Sequence, residues 1–297
     1  MGDITLTSAT RTNLLSLQRT VGLIGRTQER LATGLKVNSA LDDALAFFKA
    51  RNLNSRASDL LSIKDGILDA INVIKASIQG LESGETILKQ MKALAQSAIS
   101  SPESSTRAKL ASQFNELRSQ VDNLFEDANF NGVNLLKNAV SAFQPGADIL
   151  TVKFNERTEA TAINQLVVSG LSTTEFTTIM ARSALVLGTP GSTNVWGQTG
   201  VAAITAINRA LRAIDSALVS VRQNAQTFGT RSALLEIRRS FTENIVNTLR
   251  GGAADLVNAD LNEESANLLS LQTRQQLGTI SLSIAQQSEQ AILRLFG

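Results

Sequence analysis

The chain has 297 residues, a formal net charge of +2, and neither histidine nor cysteine. Their absence excludes Ser-His-Asp triads, thiol nucleophiles, disulfides and zinc sites built on these ligands. The residues are 43% hydrophobic but only 4% aromatic, so the apolar content is mainly Leu, Ile, Val and Ala, the residues typical of helix seams.

A long helix is predicted near the N-terminus, because no proline precedes Pro102 and apolar residues recur at alternating steps of three and four, the period of a coiled-coil seam. Gln28 is the one polar member of this seam. Gly34 interrupts the pattern, and Ser39 with Asp42 resembles a capping box, which places the next helix start near Ala40. The predicted apolar seam consists of Leu14, Leu17, Val21, Ile24, Leu31 and Leu35.

Two more helices are predicted before residue 129. Apolar residues seven positions apart, from Leu53 to Ala95, predict a helix over residues 56–98. Ser101-Pro102-Glu103 predicts the turn that follows, with Pro102 at the first position of a third, antiparallel helix.

The middle of the chain changes period. Residues 149–154 and 163–168 have strand character, and residues 187–192 form a loop rich in Gly and Pro. Helix returns at Val201, with an allowed break at Gly251-Gly252, and a last helix is predicted from Asp260 to Phe296. Its seam residues are Leu268, Leu271, Leu282, Ile292, Leu295 and Phe296.

These elements predict a mainly α fold, with long helices in both flanks of the chain and a small β-hairpin and loop region between them. The two outermost seams need partners, because each exposed Leu or Ile forgoes about 1.5–3 kcal/mol of burial. They are buried against each other, against copies of the chain, or both. For the central helices, an intramolecular bundle without any partner explains the pattern equally well.

The sequence supplies few candidates for chemistry. Asp42-Asp43 and Glu263-Glu264 could act as paired acids or hold a divalent metal, but both pairs fall near predicted helix starts, where the dipole favours carboxylates. Gly22 and Gly25 are interpreted as a close-packing site within a helix. We therefore predict no enzyme activity, no cofactor and no metal. Interspersed charges and the lack of about 18 consecutive apolar residues predict no nucleic-acid binding and no membrane insertion.

Three segments resemble the bacterial flagellins. Residues 28–44 resemble the family's turn between its first helices, residues 129–136 its Phe-Asn-Gly-x-x-Leu-Leu stretch, and residues 259–278 its terminal helix with a Gln-Gln-x-Gly element. The residues that carry this resemblance are Asn38, Ser39, Asp42, Asp43, Phe130, Asn131, Gly132, Gln275, Gln276 and Gly278.

The resemblance implies a short flagellin without large outer domains, which self-polymerises into the motor-driven filament used for motility. It implies that the helices from both termini, residues 1–40 and 256–297, pair as a long antiparallel coiled coil that forms the filament core. It also implies a helical bundle from 41–140 and 201–255, and a β-hairpin with surface loops from 141–200. It also implies flagellar type III export without a cleavable signal, an extracellular location, and an export chaperone, a cap protein and hook-junction proteins as partners. The alternatives are a hook–filament junction protein and a cytosolic coiled-coil scaffold.

Overall fold

The computed structural model describes residues 8–137, 149–156, 164–171, 195–198 and 200–296. Within these ranges it contains five long helices, a two-stranded sheet and a short 3-10 turn at Val195–Gly197. The mainly α prediction is therefore confirmed. The helices and strands are α1 (Ser8–Thr33), α2 (Ala44–Ser100), α3 (Ser104–Asp127), β1 (Ile149–Lys153), β2 (Gln165–Ser169), α4 (Val201–Val257) and α5 (Leu261–Phe296).

The chain divides into two compact units. The terminal unit consists of Met1–Ala57 and Asn247–Gly297, and the central unit is Ser58–Val246. One boundary lies within α2 and the other within α4, so no turn in the sequence marks either of them. The three-part division predicted above, with its boundaries at turns, stays a prediction.

The heptad repeat of α2 forms one side of the central core. Ile67, Ile74, Leu81, Leu88 and Ala95 are each at most 1% exposed. Seven-residue spacing keeps these side chains on one face of a helix, so the predicted seam of α2 is buried over four heptads. The largest fully buried side chains from the other elements of the central unit are Trp196, Phe114, Phe125, Phe228, Leu135 and Leu136.

Two glycines of α2 allow the end of α3 and the segment after it to pack closely against this helix. A β-carbon on Gly80 would lie 2.6 Å from Leu136 Cδ1 and 2.8 Å from the Ala128 β-carbon, and one on Gly84 would lie 2.6 Å from the Phe125 ring. These distances are shorter than van der Waals contact. The sequence of α2 therefore needs a residue without a side chain at both positions.

The β-strands form the predicted antiparallel hairpin, in a register that pairs Ile149 with Ser169 and Val152 with Leu166. Val152 and Val168 face the core and are buried, while their strand neighbours are exposed, as alternation along a strand requires. The guanidinium of Arg238 lies 5.1 Å from the centre of the Phe154 ring. A cation–π contact therefore joins α4 to the residue that follows β1.

Arg107 fixes the 3-10 turn to the start of α3. Its Nε donates to the Trp196 carbonyl at 3.0 Å, its Nη2 donates to the Gln198 carbonyl at 2.9 Å, and its Nη1 donates to Ser101 and Pro102. Trp196 is fully buried, with its ring centre 5.1 Å from that of Phe114. A single guanidinium thus satisfies four main-chain carbonyls around this end of the core.

Two predicted boundaries were wrong, and a break that the sequence allows is absent. Helix α2 begins at Ala44 rather than near Ala40, because the Asp42 carboxylate accepts hydrogen bonds from the Asn38 and Ser39 N–H groups and closes a turn. Helix α3 begins at Ser104, so Pro102 precedes it. Helix α4 runs unbroken through Gly251-Gly252, since glycine permits a break but does not impose one. The predicted loop at 187–192 lies outside the described residues.

Candidate assembly surface

Helices α1 and α5 pack against each other in antiparallel order. Arg30 Nη1 lies 2.9 Å from Glu264 Oε1 near the end of α1, while Leu17 lies against Gly278 farther along the pair. Glu264 is buried, and a buried carboxylate requires a partner of opposite charge. The two outermost helices of the chain therefore bury one side of each other, as predicted.

The turns after α1 and α4 join this pair at one end. Gly34, with a φ of 70°, ends α1, and its carbonyl accepts from the Ala259 N–H at 2.9 Å. The N–H groups of Lys36 and Val37 both donate to the Val257 carbonyl, at 2.7 and 3.2 Å. Gly34 suits this place because a positive φ is strained for residues with a side chain.

Asp42 organises the first of the three family-like segments. Its carboxylate accepts from the Ser39 N–H at 3.0 Å, the Ser39 hydroxyl at 3.1 Å and the Asn38 N–H at 3.2 Å. These hydrogen bonds, first those from Ser39, lower the pKa of Asp42. Asp43 Oδ1 accepts from the Ala46 N–H and caps α2. This turn leaves Leu41 almost fully exposed.

The second segment is a tight turn that closes α3. Asn131 and Gly132 have φ values of 51° and 79°, and Phe130 and Val133 exchange hydrogen bonds of 3.0 Å across them, the geometry of a type I′ turn. Asn134 then donates to the Phe125 and Glu126 carbonyls. Its Oδ1 accepts from the N–H groups of Leu136 and Lys137, so both the oxygen and the nitrogen of the amide are hydrogen-bonded.

The third segment lies on α5. Gln275 is half-buried and Gln276 is exposed, and Gly278 gives room to Leu17. The segment's glycine thus has a specific role in the helix pair. Gly22 and Gly25 do not have such a role, because a β-carbon at either position would meet nothing within 4 Å in the chain. No contact within the chain supports their interpretation as a close-packing site, which stays a prediction.

The α1 seam differs from the prediction at Val21 and at Gln28. Thr27 is buried and Gln28 is exposed, and Val21 is 49% exposed. A threonine in the contact line gives no apolar signal, so the sequence pattern missed it.

The other predicted seam residues are only half-buried. Two helices cover one side of each other, so these side chains keep part of their surface in water. Their role in assembly stays a prediction, and the side chains of Ile292, Leu295 and Phe296 lie outside the described part. The half-buried residues are Leu14, Leu17, Ile24, Leu31, Leu35, Leu268, Leu271 and Leu282.

A second apolar stripe on α5 faces away from α1. Leu269, Leu277, Ile280 and Ile284 are 56–67% exposed and fall within an arc of about 80° at 100° per residue. On α1, Leu15 and Leu23 are also about half exposed. The last predicted helix contains more large apolar residues than its predicted seam, which omitted all four members of this stripe. That excess was the signal in the sequence for a second apolar face.

The candidate acidic pairs take part in local structure. Asp42 and Asp43 hold the turn and the cap described above, Glu264 pairs with Arg30, and Glu263 is exposed. Among the described side chains, no group of three or more acids is placed to hold a metal ion. No described helix combines the length and the hydropathy needed to cross a membrane.

Two family models match this chain, and both describe bacterial flagellin. The N-terminal helical region matches residues 4–141, and the C-terminal helical region matches residues 211–296. The chain is 31% identical over 289 residues to flagellin FljK of Caulobacter vibrioides, covering 95% of this chain and 94% of that protein. It is 29% identical over 307 residues to a Brucella melitensis flagellin, covering 100% and 99%.

A solved structure is also similar to this chain. The crystal structure of Bacillus cereus flagellin matches with a TM-score of 0.45 and 17% identity, over 60% of this chain and 88% of that one.

Proposed function

The chain belongs to the bacterial flagellin family, and we propose that the outward apolar residues of α1 and α5 are what copies of it bury between them in the flagellar filament. The chain is a structural subunit that polymerises into this filament. Its length matches that of the relatives over nearly their whole sequence, which agrees with a flagellin lacking large outer domains.

The observation that carries this proposal is the second apolar stripe of α5. Four large aliphatic side chains on one helix face are exposed although α5 already has a partner in α1. Full burial of each would contribute about 1.5–3 kcal/mol. A contact between copies that does not close on itself produces an open helical polymer, in which every subunit can bury this stripe.

Several finer features follow from the family and belong to the same proposal. The chain is secreted by the flagellar export apparatus and lies outside the cell, with a chaperone, a cap protein and hook-junction proteins as partners. Its role is mechanical and not enzymatic. The half-buried predicted seam residues hold α1 and α5 together, and the hairpin region with residues 141–200 lies on the outside of the filament.

The test is polymerisation of the purified chain, followed by light scattering and electron microscopy. Ile280→Asp, in the centre of the stripe, should abolish filaments while the thermal unfolding of the central unit stays unchanged. Ser281→Asp places the same charge one residue away, outside the arc, and serves as the matched control. Normal filaments from Ile280→Asp would refute the role of the stripe.

The same assay separates the filament subunit from a hook–filament junction protein. A filament subunit grows into polymers of micrometre length from purified chain, whereas a junction protein stops at short rings. Leu17→Asp and Leu268→Asp test the inner seam, and both should block growth because they insert a charge between α1 and α5.

A further inference from the structure

Asn131 and Gly132 form the only Asn-Gly pair in the sequence. Such a pair is chemically labile in peptides, because glycine has no β-carbon to shield its amide nitrogen, and that nitrogen can attack the side chain of the preceding asparagine. Both residues are exposed, so water reaches them and burial does not protect them. Whether the pair reacts therefore depends on the conformation of its main chain.

The turn holds the two reacting groups apart. Asn131 and Gly132 have φ values of 51° and 79°, and the first central residue of an ideal type I′ turn has a ψ of about +30°. At that ψ the Gly132 nitrogen lies nearly opposite the Asn131 β-carbon across the Cα–C bond. Attack on the side chain forms a five-membered ring, in which these two atoms must lie on the same side of that bond. The ring therefore closes only after the Asn131 main chain has rotated out of the turn.

We infer that Asn131-Gly132 is a latent site of spontaneous deamidation, which the turn protects in the folded chain and which reacts when the turn is open. The Gly132 nitrogen loses its proton and bonds to the side-chain carbonyl carbon of Asn131. The bond from that carbon to the side-chain nitrogen breaks, and the departing nitrogen takes up a proton and leaves as ammonia. Water then opens the cyclic imide at either carbonyl, which gives aspartate or isoaspartate.

The contacts around the turn make its opening rare. Phe130 and Val133 exchange hydrogen bonds of 3.0 Å across it, and the Asn134 amide donates to two carbonyls at the end of α3, at 2.8 and 3.0 Å. The next two residues, Leu135 and Leu136, are fully buried in the core. Rotation of the Asn131 main chain therefore requires local unfolding of an anchored segment, whereas an unfolded chain has no such restraint.

The two products should affect the turn differently. Aspartate at position 131 leaves the main chain unaltered, and Asp-Gly suits a type I′ turn as Asn-Gly does. Isoaspartate continues the main chain through the β-carbon, which lengthens the turn by one atom and misaligns Phe130 with Val133. A chain that remains unfolded for long should therefore accumulate molecules in which this turn no longer closes.

The test compares deamidation in the folded full-length chain with that in the same chain unfolded in guanidinium chloride, at one mildly alkaline pH. Trypsin releases residues 119–137 as a single peptide, in which fragmentation by mass spectrometry locates the deamidated residue. The other asparagines of this peptide are internal controls, because a larger residue follows each: Asn123, Asn129 and Asn134. We expect Asn131 to react first in the unfolded chain, and at least about tenfold more slowly in the folded chain.

Asn134→Ala separates the conformation of the turn from its chemistry. It removes the amide that anchors the turn and leaves Asn131-Gly132 intact. In the folded variant Asn131 should deamidate about tenfold faster than in the folded unchanged chain, because the open form is more populated, while the two rates in guanidinium chloride should be equal. Asn129→Ala is the matched control and should change neither rate.

Three results would overturn the inference. Equal rates in the folded and unfolded unchanged chain would show that the turn gives no protection. A folded Asn134→Ala chain that reacts no faster than the unchanged chain would show the same. An unfolded chain in which Asn131 reacts no faster than the other three asparagines would show that the pair is not labile.

The effect on the turn is tested by refolding the deamidated chain beside Asn131→Asp. The Asn131→Asp variant should unfold at the same guanidinium concentration as the unchanged chain, whereas the fraction that carries isoaspartate should unfold at a lower one. A deamidated chain that contains isoaspartate and unfolds as Asn131→Asp does would contradict the effect on the turn.

Discussion

Leu17 Cδ1 lies 3.0 Å from the point that a β-carbon on Gly278 would occupy. The two residues come from opposite flanks of the chain, and their contact brings the axes of α1 and α5 close together. The glycine of the Gln-Gln-x-Gly element is therefore explained by packing, because a larger residue there would push Leu17 away.

Gly278→Leu should loosen the terminal helix pair, because its side chain needs the space that Leu17 fills. We expect the amides of α1 and α5 to exchange hydrogen faster in this variant, while those of the central unit are unchanged. Adding Leu17→Ala should restore part of the protection, since it removes the clashing atoms. A double variant that exchanges faster than Gly278→Leu would contradict a direct contact between the two side chains.

Gly80→Ala should destabilise the central unit by about 1–3 kcal/mol, because the new methyl group would overlap Leu136 and Ala128. Gly66→Ala is the matched control on the same helix, where a β-carbon meets nothing within 4 Å. That change should stabilise the helix by about 0.5–1 kcal/mol. Urea unfolding measures both, and equal effects of the two changes would show that α2 and the segment after α3 are not closely packed at Gly80.

Asn134→Ala should destabilise the central unit by about 1–3 kcal/mol, since main-chain groups at the end of α3 and in the following turn lose their partner. The exposed Asn129 offers a comparison in the same connection, and Asn129→Ala should change the free energy of unfolding by less than about 0.5 kcal/mol. The prediction fails if both variants unfold at the same urea concentration.

Arg107→Lys should release the 3-10 turn, because one ammonium group cannot replace the fork that binds four carbonyls. Trp196 is the chain's one tryptophan and is fully buried, so its fluorescence reports this release directly. We expect its emission to shift to longer wavelength in the variant. The neighbouring exposed Lys109→Ala should leave the emission unchanged, and an unshifted spectrum for Arg107→Lys would show that the turn is held by other contacts.

The turn between α1 and α2 should lose stability in acid. Because the pKa of Asp42 is lowered by folding, its contribution is fully present above the unfolded pKa of about 4 and is lost as the pH falls through the lower folded value. Amide chemical shifts of Asn38 and Ser39 should titrate with this carboxyl group. In Asp42→Asn the titration should vanish, and its persistence would assign it to another group.

Periodicity was enough to predict the helices and the core face of α2, because seven-residue spacing of Leu and Ile has a direct geometric meaning. Periodicity failed where polar residues form the helix contact or close the turn. Thr27 replaces Gln28 in the helix contact, and Asp42 closes a turn instead of completing a capping box at a helix start. In both cases a tertiary contact or a local hydrogen bond decides between arrangements that have similar sequence patterns.

The assembly surface was predictable only in part. Sequence indicates that the outer helices are apolar on more than one side, but not which side the chain itself covers. Leu268 and Ile280 look alike in the sequence, and only the structure separates the half-buried residue from the exposed one.

The contacts that hold the terminal unit join very distant parts of the chain. Arg30 and Glu264 are 234 residues apart, and Lys36 and Asp255 are 219 residues apart. At about 5–20 residues per second, a ribosome needs roughly 12–45 s to advance from α1 to α5. During that interval the nascent α1 has no helix from its own chain to pair with, and contacts of such high sequence separation form slowly even afterwards. Any factor that keeps α1 from aggregating in the cell therefore has to act from this interval until α1 and α5 have paired.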